Sequence, residues 1–275
     1  MTLYISVVLL DETWTRNLLS LLENLRGYER IGLEIFPMFH IGGYSRILDK
    51  FLPKLAELPI TFHEPYYETD HSCKRGSVEY RVTMEHCKNA FDYAARLRAG
   101  HIVYHLNNRA ISNKDEMLRI ALENLIEIND LADSYGLKLL IENTGVSAMN
   151  NVLLDENDFV DLFDMLDHDC LIDTGHANCN KWNLGSVMER LQGRIRSYHL
   201  HNNFGANDDH NRIFEGTLDL GEFFRNYSRY TPDADIVLEY KCLLTPDIMN
   251  DDIEWIKEDV SHVRRMTCAV ETSRK

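Results

Sequence analysis

Short apolar runs alternate with longer amphipathic stretches along the chain. Residues 3–10 are apolar and rich in β-branched side chains, which predicts a strand. Residues 13–25 then place Leu18, Leu19, Leu21, Leu22 and Leu25 at helical spacing. The alternation continues with strands expected at 31–36, 60–63, 101–105, 137–142, 170–173, 195–201 and 235–239. Helices are expected at 45–58, 78–97, 113–135, 156–166, 184–191, 218–227 and 251–263. Pro53 should kink or break the second helix, because proline lacks the N–H that a helix interior uses. Gly100 and Gly136 should close the third and fourth. Strands alternating with helices imply a parallel sheet with helical crossovers. Eight such pairs in 275 residues, with no Pro/Gly/Ser-rich linker, predict one (β/α)₈ TIM barrel over 1–275. Residues 267–275 read as a loose C-terminal tail.

A barrel of this kind carries its chemistry on the loops that follow its strands. Two long irregular stretches, 65–76 and 202–216, both follow strands. The strand ends themselves are ligand-type residues. The third ends Phe62-His63, the fourth Tyr104-His105, the fifth Ile141-Glu142 and the sixth Ile172-Asp173, with Thr174-Gly175-His176 behind it. The seventh ends His199-Leu200-His201 and the eighth Leu238-Glu239, and the loop after the seventh adds Asp208-Asp209-His210. Singly, each has a bland explanation. A strand-terminal histidine such as His63 is usually a satisfied polar residue, and Asp173 could simply cap the next helix. His199 and His201 share a face because the side-chain period of a strand is two. Together they are harder to dismiss, because burying many titratable groups at one mouth is costly unless a cation compensates them. Mixed carboxylate and imidazole donors suit Zn²⁺, Mn²⁺, Co²⁺ or Fe²⁺, and an oxygen-rich subset would take Mg²⁺. The sequence therefore predicts a divalent-metal site. Tyr66, Tyr67 and Phe204 lie in the mouth loops, where they either stack on a sugar or base or pack on the barrel. Trp14, Trp182 and Trp255 should pack, and Asp233, Asp235, Asp247, Asp251 and Asp252 should form a solvated acidic face.

Charge narrows the partners. The chain has 44 acidic against 29 basic residues, a net charge of −15, which repels phosphate polyanions and anionic membranes. The main positive points near the mouth loops are Lys74, Arg75 and Arg212. A small molecule is the expected partner and nucleic acid is disfavoured. No apolar run is long enough to span a membrane. The first residues lack a secretory pattern. Six cysteines (Cys73, Cys87, Cys170, Cys179, Cys242, Cys268) show no CxxC spacing. Reduced thiols and a cytoplasmic location are expected.

The ordered set of strand ends resembles the xylose-isomerase-like TIM barrels, which include sugar and sugar-phosphate isomerases and epimerases as well as endonuclease IV. The matching pieces are Thr61-Phe62-His63-Glu64-Pro65-Tyr66, Tyr104-His105, Ile141-Glu142-Asn143-Thr144, Ile172-Asp173-Thr174-Gly175-His176, His199-Leu200-His201-Asn202-Asn203, Asp208-Asp209-His210 and Leu238-Glu239. The resemblance implies a metal site on Glu142, Asp173, His201 and Glu239, with His199 as the alternative ligand on the seventh strand. It implies that Glu142 and Glu239 also move protons on opposite faces of a sugar. His176 resembles a histidine that contacts substrate oxygens; His63, His105, His199 and Tyr66 are further substrate-binding candidates. The chemistry is coherent. Isomerisation beside a carbonyl removes a weakly acidic C–H proton, a metal stabilises the developing enediolate, and carboxylates carry the proton. Mn, Co, Mg or Zn would serve, on a small sugar, a polyol-derived ketone or a sugar phosphate.

A rival lies within the same resemblance. Endonuclease IV-like hydrolysis of phosphodiesters uses three Zn²⁺, and His63, His105, His176, Asp208 and His210 are candidates for the extra ligands. A barrel that binds a small ligand without turnover is a third reading, which the complete ligand set disfavours. The chain departs from the family pattern after Asp208-Asp209-His210. A proline and a Gly-x-Gly turn are usual there, whereas this chain reads Asn211-Arg212-Ile213-Phe214-Glu215-Gly216. Phe204-Gly205-Ala206 stands where ketose 3-epimerases carry a glutamate and an arginine, so that subclass is not supported. Family members often dimerise, so a homodimer is possible for this chain.

Overall fold

The computed structural model describes residues 1–25, 31–241 and 255–273. Eight parallel strands close into a barrel in chain order. They are β1 (Leu3–Val7), β2 (Ile31–Ile35), β3 (Ile60–Phe62), β4 (Ile102–Tyr104), β5 (Leu139–Glu142), β6 (Asp169–Asp173), β7 (Ile195–Leu200) and β8 (Asp235–Leu238). β1 closes the ring on β8, with Leu3 opposite Ile236. Around it lie α1 (Glu12–Leu25), α2 (Tyr44–Leu55), α3 (Val78–Arg96), α4 (Lys114–Ser134), α5 (Glu156–Met165), α6 (Thr174–Cys179), α7 (Leu184–Arg190), α8 (Leu220–Tyr230) and α9 (Trp255–Ser273). The expected (β/α)₈ barrel is therefore the fold.

The strand period of two sorts every strand residue into one of two environments. Ile5, Leu33, Phe62, Tyr104, Ile141, Ile172, Leu200 and Leu238 belong to one large core shared with the helices. The alternate positions form the barrel interior. There Val103, Leu140 and Leu171 make a small apolar layer of their own. Ser6, Glu34, Thr61 and Ser197 join that interior, each fully buried despite being polar. One inward step further along, the strands place His63, His105, Glu142, Asp173, His199 and Glu239. The layer of candidate ligands is thus the top rung of the barrel's own packing.

Local chemistry explains the helix ends and several departures from expectation. Asn113 caps α4 by accepting the Glu116 N–H, and Asp155 caps α5 through the Asn157 and Asp158 N–H groups. Pro53 lies inside α2 without breaking it, but only two helical residues follow it, so the helix ends at Leu55 and not at 58. α3 turns at Arg98, which takes the left-handed conformation (φ 54°), and not at Gly100. The Ala99 N–H bonds back to Ala94 O, while the Gly100 N–H donates to Ile60 O and joins the strand edge. The loose tail expected from residue 267 is corrected: α9 continues to Ser273. Thr267 is buried, and its hydroxyl donates to the carbonyls of Val263 and Arg264. Cys73, Cys87, Cys170 and Cys179 are free and buried. Cys242, Asp247, Asp251 and Asp252 lie outside the described residues, as does the side chain of Cys268.

His101, at the base of β4, gives this fold a pH signature. Burial pushes its pKa from 6.5 down to about 4. The unfolded chain therefore binds a proton that the folded chain refuses between those values, so His101 lowers stability as pH falls through that window. Between pH 7 and pH 5 the loss amounts to about 2 kcal/mol. The raised histidines of the site add slopes of their own, so the check is a difference: the urea-derived stability of the wild type relative to His101→Gln should fall by about that amount between pH 7 and pH 5. Equal slopes would remove His101 as the cause.

Candidate metal centre

The top rung gathers donors that are far apart in sequence. His199, on β7, lies at its heart. Its Nδ1 is 3.1 Å from Glu239 Oε2, 3.6 Å from Glu142 Oε2 and 3.7 Å from Asp173 Oδ2. Four strands supply these groups, and all four side chains are buried. His201, two residues on, sits beside rather than among the three carboxylates. Its Nε2 is 3.0 Å from Asp173 Oδ2 and 3.9 Å from Asp208 Oδ1. Gly175 makes room for that ring, since a Cβ there would lie 1.9 Å from His201 Cε1. Asp173 fills both roles considered for it. Oδ1 caps α6 by accepting the His176 N–H at 2.6 Å, and Oδ2 faces the histidines.

Further donor sets adjoin the first. His63, His105 and Glu142 place one ligand atom each within 4.8 Å of one another, so Glu142 belongs to two sets. Asp208 Oδ2 lies 3.2 Å from His176 Nε2 and 2.9 Å from His210 Nε2. His210 also forms a set with His201 and Glu239. Every candidate ligand named from the sequence is therefore in one connected cluster.

The electrostatics are those of a site short of positive charge. Burial would raise the Glu142 carboxyl, but His105 and His199 hold it well below the usual carboxylate range. Burial and His199 act in the same opposed way on Glu239, which falls to about 2. Asp173 and Asp208 are likewise held down against burial by their histidines. Conversely, burial disfavours charge on His176, His199 and His210, yet the carboxylates raise all three, His210 to about 9. In this state the imidazolium protons compensate the buried carboxylates. A divalent cation can replace those protons, because metal binding to such a set releases them.

The orientation of the rings fits a metal. His63 Nδ1 lies 2.8 Å from Glu64 O, and His105 Nδ1 lies 2.8 Å from Asn108 Oδ1. His210 Nδ1 is 3.2 Å from Glu239 O. In each ring the outer nitrogen has an acceptor and the inner nitrogen points toward carboxylates, as metal-bound imidazoles do. His199 Nδ1 is buried and completes no aligned hydrogen bond although three carboxylates surround it. Burial and His105 push the His63 pKa down, which leaves that ring a neutral donor.

A cavity of about 300 Å³ opens on the cluster. His63, His105, Glu142, His176, Asp208 and Glu239 form its polar part. Phe36, Tyr66, Tyr67, Val146 and Met149 form an apolar rim, and Lys241 is the one lysine or arginine that lines it among the described residues. Phe36 stacks on His63 with ring centres 4.5 Å apart. Of the three loop aromatics, Tyr66 and Tyr67 reach the cavity, while Phe204 is exposed and does not line it. Sequence reasoning missed Glu34, Glu64 and Asn108. Glu64 accepts the His105 N–H and the Asn108 side-chain amide, so it holds the His105 clamp from outside. The signal for Glu34 was a lone carboxylate at an inward position of an otherwise apolar strand.

Residues 27–259 match the family model described as xylose isomerase-like TIM barrel. The chain belongs to this family. A relative from Methanocaldococcus jannaschii, named only as an uncharacterised protein, is 26% identical over 234 residues, which cover 79% of this chain and 78% of that one. Among solved structures, a D-tagatose 3-epimerase-like protein aligns over the full length of both chains with a TM-score of 0.73 and 19% identity. The IOLI protein, solved with a bound zinc atom, aligns over 98% of each chain with a TM-score of 0.67 and 18% identity. At these identities the likeness is one of fold. Within the xylose isomerase-like barrels, epimerases and isomerases are thus structural neighbours of this chain, and its strand ends carry a plausible metal site.

Proposed function

We propose that this chain is a divalent-metal-dependent isomerase or epimerase of a small sugar, a polyol-derived ketone or a sugar phosphate. The observation that carries the reading is the convergence of Glu142 and Glu239 on one point beside His199 Nδ1, from strands β5 and β8. Glu142, Asp173, His199 and Glu239 are the residues that would hold the metal. His199 takes the place expected for His201, because its ring, not that of His201, faces all three carboxylates. When bound, the metal supplies Lewis-acid polarisation of a substrate carbonyl.

The remaining work falls to the chain's own side chains. A carboxylate on one side removes the proton beside the carbonyl, and one on the other side returns it. Glu142 and Glu239 take these two roles. His105 and His176 orient Glu142 through contacts of 2.9 and 3.3 Å. The cavity, at about 300 Å³, matches a small ligand. Its aromatic rim shields the buried carboxylates from water.

A second reading has its own observation. Four overlapping donor sets among the described residues, with His63, Glu142, His199 and Glu239 each shared by two, would suit several metals and a phosphoester hydrolase. The two readings separate in one experiment. The protein is purified without chelators, its metal content measured, and two reactions followed. On the isomerase reading, about one metal per chain is held tightly and a ketose substrate exchanges its α-proton with D₂O. Chelation abolishes that exchange and re-addition restores it. Metal at 100 times its Kd should also stabilise the fold by about 2.7 kcal/mol, seen as a raised Tm. Two or three tightly held zinc ions, cleavage of bis(p-nitrophenyl) phosphate and no exchange with any ketose would transfer the assignment to the hydrolase.

A further inference from the structure

Glu34 is a carboxylate inside the barrel, below the metal-ligand layer and outside the cavity lining. It is completely buried, and no lysine or arginine pairs with it among the described residues. Its Oε2 receives only a long contact from the Thr61 hydroxyl at 3.4 Å. Its Oε1 lies 2.9 Å from His199 Nε2, although the ring N–H is not aligned on it in this arrangement. A buried carboxylate left without a donor is strongly destabilising. The nearest remedy is a proton on His199 Nε2. With that proton held on Nε2, Nδ1 is the nitrogen that gives up its proton to a cation among Glu142, Asp173 and Glu239.

The other clamped histidines differ in one respect. His63 and His210 are held by backbone carbonyls and His105 by the amide of Asn108. Those acceptors are neutral. Carboxylates stand farther off behind two of these rings, Glu64 Oε1 at 3.5 Å from His105 Nδ1 and Glu239 Oε2 at 3.7 Å from His210 Nδ1; only His199, compared with these three, has a carboxylate as the nearest acceptor behind it. A carboxylate acceptor fixes the tautomer and makes the opposite nitrogen a stronger donor. We propose that Glu34 is a positioning residue that sets the tautomer of His199 and makes the donor set of Glu142, Asp173, His199 and Glu239 the first and tightest to take up metal. The affinity half of this proposal rests on the metal-enzyme reading above. The tautomer half does not.

The test uses the full chain, stripped of metal, in the wild-type and Glu34→Gln forms. Zn²⁺ is titrated against a chromophoric chelator, and the His199 tautomer is read from imidazole ¹⁵N shifts in the metal-free protein at a pH high enough to make the ring neutral. The expected result is an Nε2–H ring in the wild type and a mixture of tautomers in the variant. The tightest zinc equivalent should weaken by about 10–100-fold in Glu34→Gln, while any weaker equivalents stay unchanged. A matching far-UV spectrum shows that the variant folds; should it not fold, the wild-type tautomer alone decides. Unchanged zinc affinity in a folded variant, or an Nδ1–H ring in the wild type, overturns the proposal. If the wild type takes up no zinc at all, the metal-enzyme reading and the affinity half fall together, and the ¹⁵N shifts still decide whether Glu34 sets the tautomer.

Discussion

Replacing Glu142 with glutamine should lower kcat/KM by about 10²–10⁴-fold, the usual contribution of a positioned acid or base. This residue joins several parts of the site. Its carboxylate oxygens lie 2.9 Å from His105, 3.3 Å from His176, 3.6 Å from His199 and 3.9 Å from His63. Glutamine keeps the shape but is neither a base nor an anion. It leaves His105 without its main counter-charge, removes a smaller one from His199, and takes one charged ligand from two donor sets at once. Bound metal should therefore fall together with turnover. The check is a paired measurement of kcat/KM and metal content on folded variant protein. Full turnover by Glu142→Gln would remove Glu142 from proton transfer. Lost metal with normal exchange on re-saturation would leave it as a ligand only.

The largest expected effect on stability lies just outside the cavity. Arg212 donates two hydrogen bonds to Asp259, Nε at 3.0 Å and Nη2 at 2.6 Å. Asp259 is fully buried on α9, and the guanidinium also stacks over Trp255 at 4.8 Å. The pair pins the loop after β7, which carries Asp208 and His210, to the last helix. Arg212→Met leaves the buried Asp259 without its cation, and breaking a buried pair in that way costs about 3–5 kcal/mol. For a chain of this size that is a fall in Tm on the order of 10 °C. The double variant Arg212→Met/Asp259→Leu should recover most of the loss, because it removes the stranded charge as well. A single variant as stable as the wild type would show that the loop is held by something else. This anchor stands where the family pattern has its proline and glycines. Ile213 beside it is buried, and Phe214 packs its ring edge-on to His262 at 4.7 Å. Gly216, the one glycine kept, is required: a Cβ there would lie 2.2 Å from Asn202 Oδ1.

The barrel and its chemical mouth were legible in the linear chain because both follow from short-range periodicity. Eight apolar runs separated by amphipathic ones are a local pattern, and a strand's last residue is recognisable as such. Glu142, Asp173, His199, His201 and Glu239 could be named for that reason. So could His63, His105, His176, Asp208 and His210, with the help of their order along the chain. Parity along β7 placed His199 and His201 on one face but could not rank them. That ranking depends on the depth of each ring relative to β5, β6 and β8. It is decided by the register that sets Asp173 opposite His199, and by the gap at Gly175 that draws His201 aside. Glu34 stayed hidden for a related reason. Its meaning lies in the 2.9 Å to a histidine 165 positions away, across a closed barrel, and the sequence shows only a glutamate in an apolar strand. Helix ends failed where a non-glycine took the left-handed turn, as at Arg98, because propensity names the usual residue and tertiary packing selects the actual one. Periodicity and residue type determined the fold and the ligand inventory. The closed barrel's register and depth decided which histidine faces the carboxylates and what stands behind it.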